Sequence, residues 1–369
     1  MRNHDIEIAP LEQNLNLHDK MAIEESLKEM VIEELASSSE RELRCIVKEL
    51  GADVIPFVAQ ETPKDYYLQL LKSIPINLSQ LDNLPRLFRY LLCQMKKQNS
   101  CKERIASLKF ISSISEVSTN KALLVSYPGM LESLHVASPA EEEMEYITKS
   151  ICELSKAIEN KVFMTKMVQI VDNLMLILNN SNTGDGWNHI SQLNSIEALM
   201  HLSETAENKT RMVNYRKGAL LKLIVHITSQ TSNMQSSINA LRCINNLICT
   251  QTIEVLIESP NLCQTLSNVA TECPFHDVAN QAAKTLQKLC LLSKTGTTQN
   301  EVLIATIISM TIQSCPNNDV FSIGMQSLHN KSMSRKNIPL MTQNSKLLDL
   351  MCVSKCQVIS FLLILSLIL

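Results

Sequence analysis

Apolar side chains return every third or fourth residue along most of this chain, which is the spacing of one face of an α-helix. The stretch 20–50 shows the pattern in two runs, separated by SerSerSerGlu at 37–40. Serine hydroxyls followed by an acidic side chain stabilise a helix N-terminus, so this stretch predicts two amphipathic helices, the second ended by Gly51. Residues 56–99 continue the pattern and predict further helices.

A short phrase recurs after the longer apolar stretches. It reads IleSerGluValSerThrAsnLys at 114–121, LeuSerLysAlaIleGluAsnLys at 154–161 and LeuSerGluThrAlaGluAsnLys at 202–209. Self-similarity at intervals of about 20 to 50 residues is typical of solenoids, in which each module buries its apolar face on the next. The phrase therefore predicts tandem helical modules that present a long surface.

The repeat length follows from the Leu or Ile that ends each predicted long helix. Aligning Ile114, Leu154, Leu202, Leu247, Leu289 and Leu328 gives intervals of 40, 48, 45, 42 and 39 residues. The 48-residue interval contains the polar stretch 179–186, which predicts an enlarged loop. Without those eight residues this interval is also 40.

Composition favours helices throughout. Apolar residues make up 45% of the 369 positions, and aromatic residues only 4%, so a large core has to be built from aliphatic side chains. The chain has only 7 Gly and 11 Pro, too few for the many tight turns of a sandwich or barrel. These values predict an all-α fold.

The distribution of charge and the cysteines indicate the type of partner and the cellular compartment. Residues 1–62 carry a balance of −8 and the remainder +5, and neither suggests the strongly basic face that nucleic-acid binding needs. The 12 cysteines are scattered singly with no CxxC pair, and the first 20 residues contain no apolar run typical of a signal peptide. We therefore expect free thiols in a reducing compartment, cytoplasmic or nuclear.

The stretch 195–224 resembles one complete armadillo repeat. The family pattern is A-L-x-N-L-S, a short gap, N-K-x-x-I, then G-A-I-x-x-L-V. The matching residues are Ala198, Leu199, Leu202, Ser203, Asn208, Lys209, Met212, Gly218, Ala219, Leu220 and Leu223. Partial matches occur at 240–247, 120–124 and 129–134, so the resemblance covers about residues 100–350.

This resemblance implies a right-handed α-solenoid of armadillo- or HEAT-like repeats, each with a short helix followed by two longer ones. The predicted organisation is a loosely helical or disordered stretch at 1–19, a helical cap or degenerate repeats at 20–99, the repeat array at 100–350 and an apolar helix at 351–369. Several repeats lack the glycine between the short and second helices; Asn261 stands near that place in one of them.

The resemblance also implies a binding groove lined by the third helix of each repeat. The groove ladder includes the position before each aligned Leu or Ile and the position four residues earlier, which share one helix face. The later positions are Ser113, Glu153, His201, Asn246 and Lys288, and the earlier ones are Lys109, Lys149, Glu197, Arg242 and Lys284. These ten positions hold five basic and two acidic side chains, a mildly basic strip.

Such a strip suits an extended, acidic protein segment, as in catenin-like members. Importin-α-like members carry Trp at the earlier ladder position, whereas the single Trp of this chain, Trp187, lies beside the polar loop. We therefore expect a protein or peptide partner and not a basic nuclear-localisation peptide. The alternative is that the ladder cations are ordinary solvated side chains on a helix face.

The C-terminus offers several alternatives. Residues 358–369 are apolar except for two serines, and extending back to 351 gives 19 residues that include Lys355. A membrane span needs about 20 apolar residues. The stretch 351–369 is a tail anchor of a membrane adaptor, a final buried helix, or a divergent chain end.

Residues with reactive chemistry are not grouped in any familiar motif. CysProPheHis at 273–276 has no second ligand pair nearby, and GlyAspGly at 184–186 lacks the context of a phosphate loop. We predict no catalytic residue, no metal, no cofactor and no small-molecule substrate. The expected function is a non-enzymatic scaffold; a membrane-tethered adaptor and a helical-array enzyme are the alternatives.

Overall fold

The computed structural model describes residues 88, 91–93, 95, 101–135, 141–180, 189–230, 233–294, 296–314 and 318–353. The predictions for 1–19 and for most of 20–99 lie outside these residues. The chain divides into two compact units, Met1–Asn120 and Lys121–Leu369, with the boundary inside one helix. The second unit contains most of the described repeats.

Every regular element in the described residues is a helix. In the first unit, α1 (Cys101–Ser115) buries a face that includes Ile105, Leu108, Ile111 and Ile114. The following helices are α2 (Ser118–Ser126), α3 (Met130–Ser133), α4 (Glu141–Ser155), α5 (Ile158–Lys166), α6 (Val168–Asn180), α7 (His189–Ser203), α8 (Ala206–Asn214), α9 (Ala219–Ser229), α10 (Met234–Leu247), α11 (Ile253–Glu258), α12 (Leu262–Glu272), α13 (His276–Leu292), α14 (Thr298–Gln313), α15 (Asp319–Ser332), a 3₁₀ turn (Arg335–Asn337), α16 (Ile338–Thr342) and α17 (Ser345–Val353).

These helices form tandem repeats in the second unit. The third helices α4, α7, α10, α13 and α15 each pack on the next one along the chain, and the second helices α6, α9, α12, α14 and α17 do the same. The aligned leucines 154, 202, 247, 289 and 328 are all fully buried near the ends of third helices. The all-α solenoid and its repeat length, predicted from the sequence, are therefore confirmed.

A left-handed residue precedes the second helix in several repeats. Gly129 and Gly218 have φ of 86° and 83°, and Asn261 takes the same place with φ of 67°. Asparagine tolerates this conformation better than most residues with a side chain, so the turn forms without glycine. Between α5 and α6 the place is taken by Met167 in an extended conformation, where the chain bends by 86°.

The recurring asparagine of the repeated phrase ties each repeat to the one before it. The buried Asn160 amide donates to the carbonyl oxygens of Leu154 and Lys121, both at 3.0 Å. Asn208 donates in the same way to those of Leu202 at 2.8 Å and Lys161 at 3.0 Å. Carbonyls at the end of a helix have no partner within the helix, and the asparagine supplies one.

The repeat that ends with α15 departs from the three-helix pattern predicted for every module. A single helix, α14, stands in place of a short and a second helix, because 298–313 contains neither Gly nor Pro. It packs closely on α15, where a Cβ on Gly324 would overlap Thr311 Oγ1. The short helix and the left-handed turn are therefore not obligatory for stacking.

Two further predictions are only partly covered. Residues 179 and 180 end α6 rather than belonging to the predicted loop 179–186, and the rest of that loop lies outside the described residues. Of the predicted helix 351–369, residues 351–353 belong to α17, and 354–369 lie outside the described residues. No single helix in the described part of the chain is long and apolar enough to cross a membrane; α5 with α6 qualifies by length and composition only if joined across its bend.

Candidate functional site

Eight of the ten predicted ladder residues lie on third helices of the second unit. We call this set the ladder face: Lys149, Glu153, Glu197, His201, Arg242, Asn246, Lys284 and Lys288. All eight side chains are at least partly exposed, and the two on each helix stand one turn apart. The other two, Lys109 and Ser113, are partly exposed on α1 of the first unit, one turn apart as well.

On α4 and the loop after it, acidic and basic side chains bind one another. The Glu153 carboxylate accepts from Lys121 Nζ at 2.9 Å and from Lys156 Nζ at 2.5 Å. Lys156 also lies 3.6 Å from a carboxylate oxygen of Glu197 on α7. Burial raises the pKa of Glu153, but the hydrogen bonds from Lys156 and Lys121 outweigh burial and hold that pKa below its ordinary value.

The same chain of charges continues along α7. His201 lies between two carboxylates, with Nε2 3.6 Å from Glu197 and Nδ1 3.3 Å from Glu204. Glu204 in turn binds the buried ammonium of Lys161. Burial raises the pKa of Glu204, but the Lys161 hydrogen bond and charge lower it further than burial raises it. Three lysines and three glutamates of the α4–α7 region are thus joined through His201 in one network, in which the lysine and glutamate charges are matched.

On α10 and α13 the polar ladder residues bind backbone or hydroxyl groups of the neighbouring repeat. The Asn246 amide donates to the Met200 carbonyl oxygen at 3.3 Å and to Ser203 Oγ at 3.1 Å. Lys288 Nζ donates to the Asn245 carbonyl oxygen at 2.7 Å. Burial lowers the pKa of Lys288, and the nearby charge of Lys209 lowers it further.

The other cations of this region have no carboxylate. Arg242 and Lys284 are exposed, Lys209 is half-buried, and none of them forms a hydrogen bond or ion pair with another described residue. The predicted mildly basic strip is therefore uneven. The acidic residues of the strip lie on α4 and α7. Its cations without a carboxylate among the described residues lie on α10 and α13, close to Lys209 of α8.

The prediction of the ladder positions did not include the residues that pair the charges on α4 and α7 or leave them unpaired on α10 and α13. Three of these residues, Lys121, Lys161 and Lys209, follow the asparagine of the repeated phrase. The repeat pattern could therefore have identified them. Glu204 and Lys156 lie just beyond the ends of third helices. The pairs Lys121–Glu153 and Lys161–Glu204 join residues 32 and 43 positions apart, and helical periodicity does not reveal such contacts.

Other reactive side chains are dispersed. The thiols of Cys243 and Cys290 are buried, and burial raises the pKa of each to about 12, so they pack as small apolar groups. In the described part of the chain no three His, Cys, Asp or Glu side chains are placed to share a metal ion. A cavity of about 400 Å³ lies between α14, α16 and α17 and is lined equally by aliphatic and polar residues, with Glu301 and Lys346 as its ionisable groups.

The comparisons with known proteins concern the fold. No protein-family model matches the chain, and no similar sequence is found among characterised proteins. A crystal structure of an engineered protein superposes with a TM-score of 0.60 at 13% identity, over 92% of this chain and 83% of that one. This likeness shows a shared fold and nothing more.

Two natural proteins are more distant. The TSC2 N-terminus gives a TM-score of 0.44 at 12% identity, covering 88% of this chain and 81% of that one. The UNC-45 chaperone, described as binding and folding muscle myosin, gives 0.41 at 11% identity, covering 91% of this chain and 48% of that one.

Proposed function

We propose that this chain is a non-enzymatic, armadillo-type scaffold that binds an extended segment of another protein along its ladder face. The observation that carries the proposal is the regular placement of the same two surface positions on α4, α7, α10 and α13. Stacked helices present such positions at a fixed interval, which is the arrangement that a linear ligand can follow.

The dimensions support a linear ligand. Packed helices stand about 10 Å apart, and an extended chain rises about 3.3 Å per residue. Each repeat therefore spans about three residues of an extended segment, and the four ladder helices span roughly nine. The side-chain oxygen of Asn246 can accept from a backbone N–H of such a segment, and the Lys284 ammonium can donate to its carbonyl oxygens or carboxylates.

Photocrosslinking tests this proposal on the full chain. A photoreactive amino acid is placed at Arg242 or at Lys149 on the ladder face, and at Lys222 on α9 as the control. Lys222 is exposed but belongs to a second helix. We expect both ladder positions to crosslink one and the same protein in cells, and the control position not to crosslink it. Capture from Lys222 with equal yield, or only from Lys222, would contradict a ladder-face scaffold.

A further inference from the structure

Two lysines of the repeated phrase each form an ion pair with a glutamate of the next repeat. Lys121 reaches Glu153 of the next third helix, and Lys161 reaches Glu204 just beyond the following one. Glu204 stands two residues after the buried Leu202. The equivalent place in the next repeat, two residues after the buried Leu247, is held by Cys249.

Lys209 therefore lacks the acid that Lys161 has. Burial raises the pKa of the Cys249 thiol, but hydrogen bonds from Thr252 and the charge of Lys209 lower it below its ordinary value, which places Lys209 close to that sulfur. Cysteine is a weak acceptor and carries no fixed charge like that of a carboxylate. The Lys209 ammonium is left with its charge uncompensated among the described residues.

Further cations adjoin Lys209. Lys288 is held against α10 by its bond to the Asn245 carbonyl, near enough to Lys209 for the two charges to repel each other. Arg242 lies one turn before Asn246 on α10, and Lys284 one turn before Lys288 on α13. The acidic side chain on α13 is Asp277, two turns before Lys284 and so about 10 Å away along the axis.

Building on the proposed function, we infer that Lys209, Arg242, Lys284 and Lys288 form a cationic site that binds an acidic stretch of the extended partner segment. The α4–α7 network, whose charges are already matched, contacts the segment without preferring acidic residues. Carboxylates two or four residues apart in an extended segment lie on the same side of it, about 7 and 13 Å apart, which brackets the spacing of about 10 Å between neighbouring ladder helices. Carboxylates at these places supply a counter-charge to the four cations and relieve the repulsion between Lys209 and Lys288.

A labelled peptide of about twelve alternating glutamate and serine residues tests the site, because it spans roughly 40 Å when extended. The matched peptide has glutamine in place of glutamate. Binding is followed by fluorescence anisotropy with the full chain at low and at moderate salt. We expect the glutamate peptide to bind more tightly, and its affinity to fall as salt rises.

Four variants locate the charge effect. Arg242→Glu with Lys284→Glu should weaken binding of the glutamate peptide by roughly tenfold or more. Cys249→Glu supplies the missing carboxylate from within the chain and should weaken binding by roughly three- to tenfold, whereas Cys249→Gln, of similar size, should change it less than about twofold. Lys222→Glu alters net charge away from the site and should also change it less than about twofold.

The inference is overturned if Cys249→Glu behaves like Cys249→Gln, if Lys222→Glu weakens binding as much as the double reversal, or if neither peptide binds. It is also overturned if an oligothymidylate of about the same length binds more tightly than the peptide. A benzophenone on each peptide separates the two proposals. Equal affinities with crosslinks to α10 or α13 from both peptides would remove the acid preference and leave the scaffold proposal in place.

Discussion

The α4–α7 and α10–α13 regions share one backbone plan but carry opposite charge arrangements. In the first, Lys121, Lys156 and Lys161 are matched by carboxylates within the chain. In the second, Lys209 faces Cys249 where its counterpart Lys161 has Glu204. The presence of Cys249 where the preceding repeat has Glu204 thus accompanies the change from matched charges to cations without a carboxylate among the described residues.

The largest expected difference concerns the polar residue that caps each third helix. Asn208 donates two buried hydrogen bonds in the first region, whereas Thr252 at the matching place donates mainly to the Leu247 carbonyl at 2.5 Å. Because an orphaned buried carbonyl costs about 1–3 kcal/mol, Asn208→Ala should lower the free energy of unfolding by about 3 kcal/mol and Thr252→Ala by about 1–2 kcal/mol. Urea denaturation measures both.

Asn214→Ala is the control for Asn208→Ala, since its amide bond to the Thr210 carbonyl is exposed. We expect a change below about 0.5 kcal/mol there. Equal effects of Asn208→Ala and Thr252→Ala would show that the two regions depend on their caps to the same degree.

The next effect is a pH dependence that belongs to the first region. The pKa values of Glu153 and Glu204 are lowered in the folded state, so their pairs stabilise the fold above the unfolded-state pKa of about 4.5 and lose this contribution as the pH falls through the folded-state values. Glu153→Gln with Glu204→Gln should therefore destabilise the chain by about 1–2 kcal/mol near pH 7.

This difference from wild type should shrink as the pH falls below about 4, where wild type itself loses the charged pairs. Arg242→Gln with Lys284→Gln in the second region should show no comparable acid dependence, because neither cation has a carboxylate among the described residues. Unfolding curves recorded near pH 7 and near pH 3.5 compare the two double variants. A pH-independent loss in the glutamine variant would contradict the role given to the ion pairs.

Introducing a carboxylate in the second region should raise the free energy of unfolding by a smaller amount. Cys249→Glu places a carboxylate near the half-buried Lys209 and should raise the free energy of unfolding by about 0.5–1 kcal/mol. The gain should fade at high salt and vanish when Lys209 is replaced by methionine. A Cys249→Glu variant that gains nothing in stability would mean that its side chain does not reach Lys209.

The smallest expected effect, that of Asn261→Gly, concerns the backbone turns before α9 and α12. Asn261 and Gly218 occupy matching left-handed turns, with φ of 67° and 83°. Asn261→Gly should stabilise the fold by at most about 0.5 kcal/mol, whereas Gly218→Ala should destabilise it by about 1 kcal/mol, because alanine adopts this conformation at a cost. Thermal unfolding of both variants measures the difference.

Much of the array could be predicted from the sequence because it rests on local rules. Leu202 and Leu247 fix the repeat length, and the positions before them reach the surface because helical periodicity requires it. The single helix α14 could have been predicted from the lack of Gly and Pro in 298–313, but the three-helix pattern of armadillo repeats led to the expectation of two helices there. The distribution of charge could not be predicted in this way. Whether Glu204 is a free surface acid or the partner of Lys161 depends on how far one repeat is rotated against the next.

The asparagines that cap third helices have a consequence for how the array assembles. Asn160 and Asn208 each bind a carbonyl of the preceding repeat as well as one at their own repeat boundary. Unfolding of one repeat therefore removes hydrogen bonds between the asparagine and the backbone of the neighbouring repeat, as well as apolar contacts. Nearest-neighbour coupling of this kind makes modules fold and unfold in runs, so a cut within 121–214 should melt several repeats together, whereas fraying should begin at the array ends.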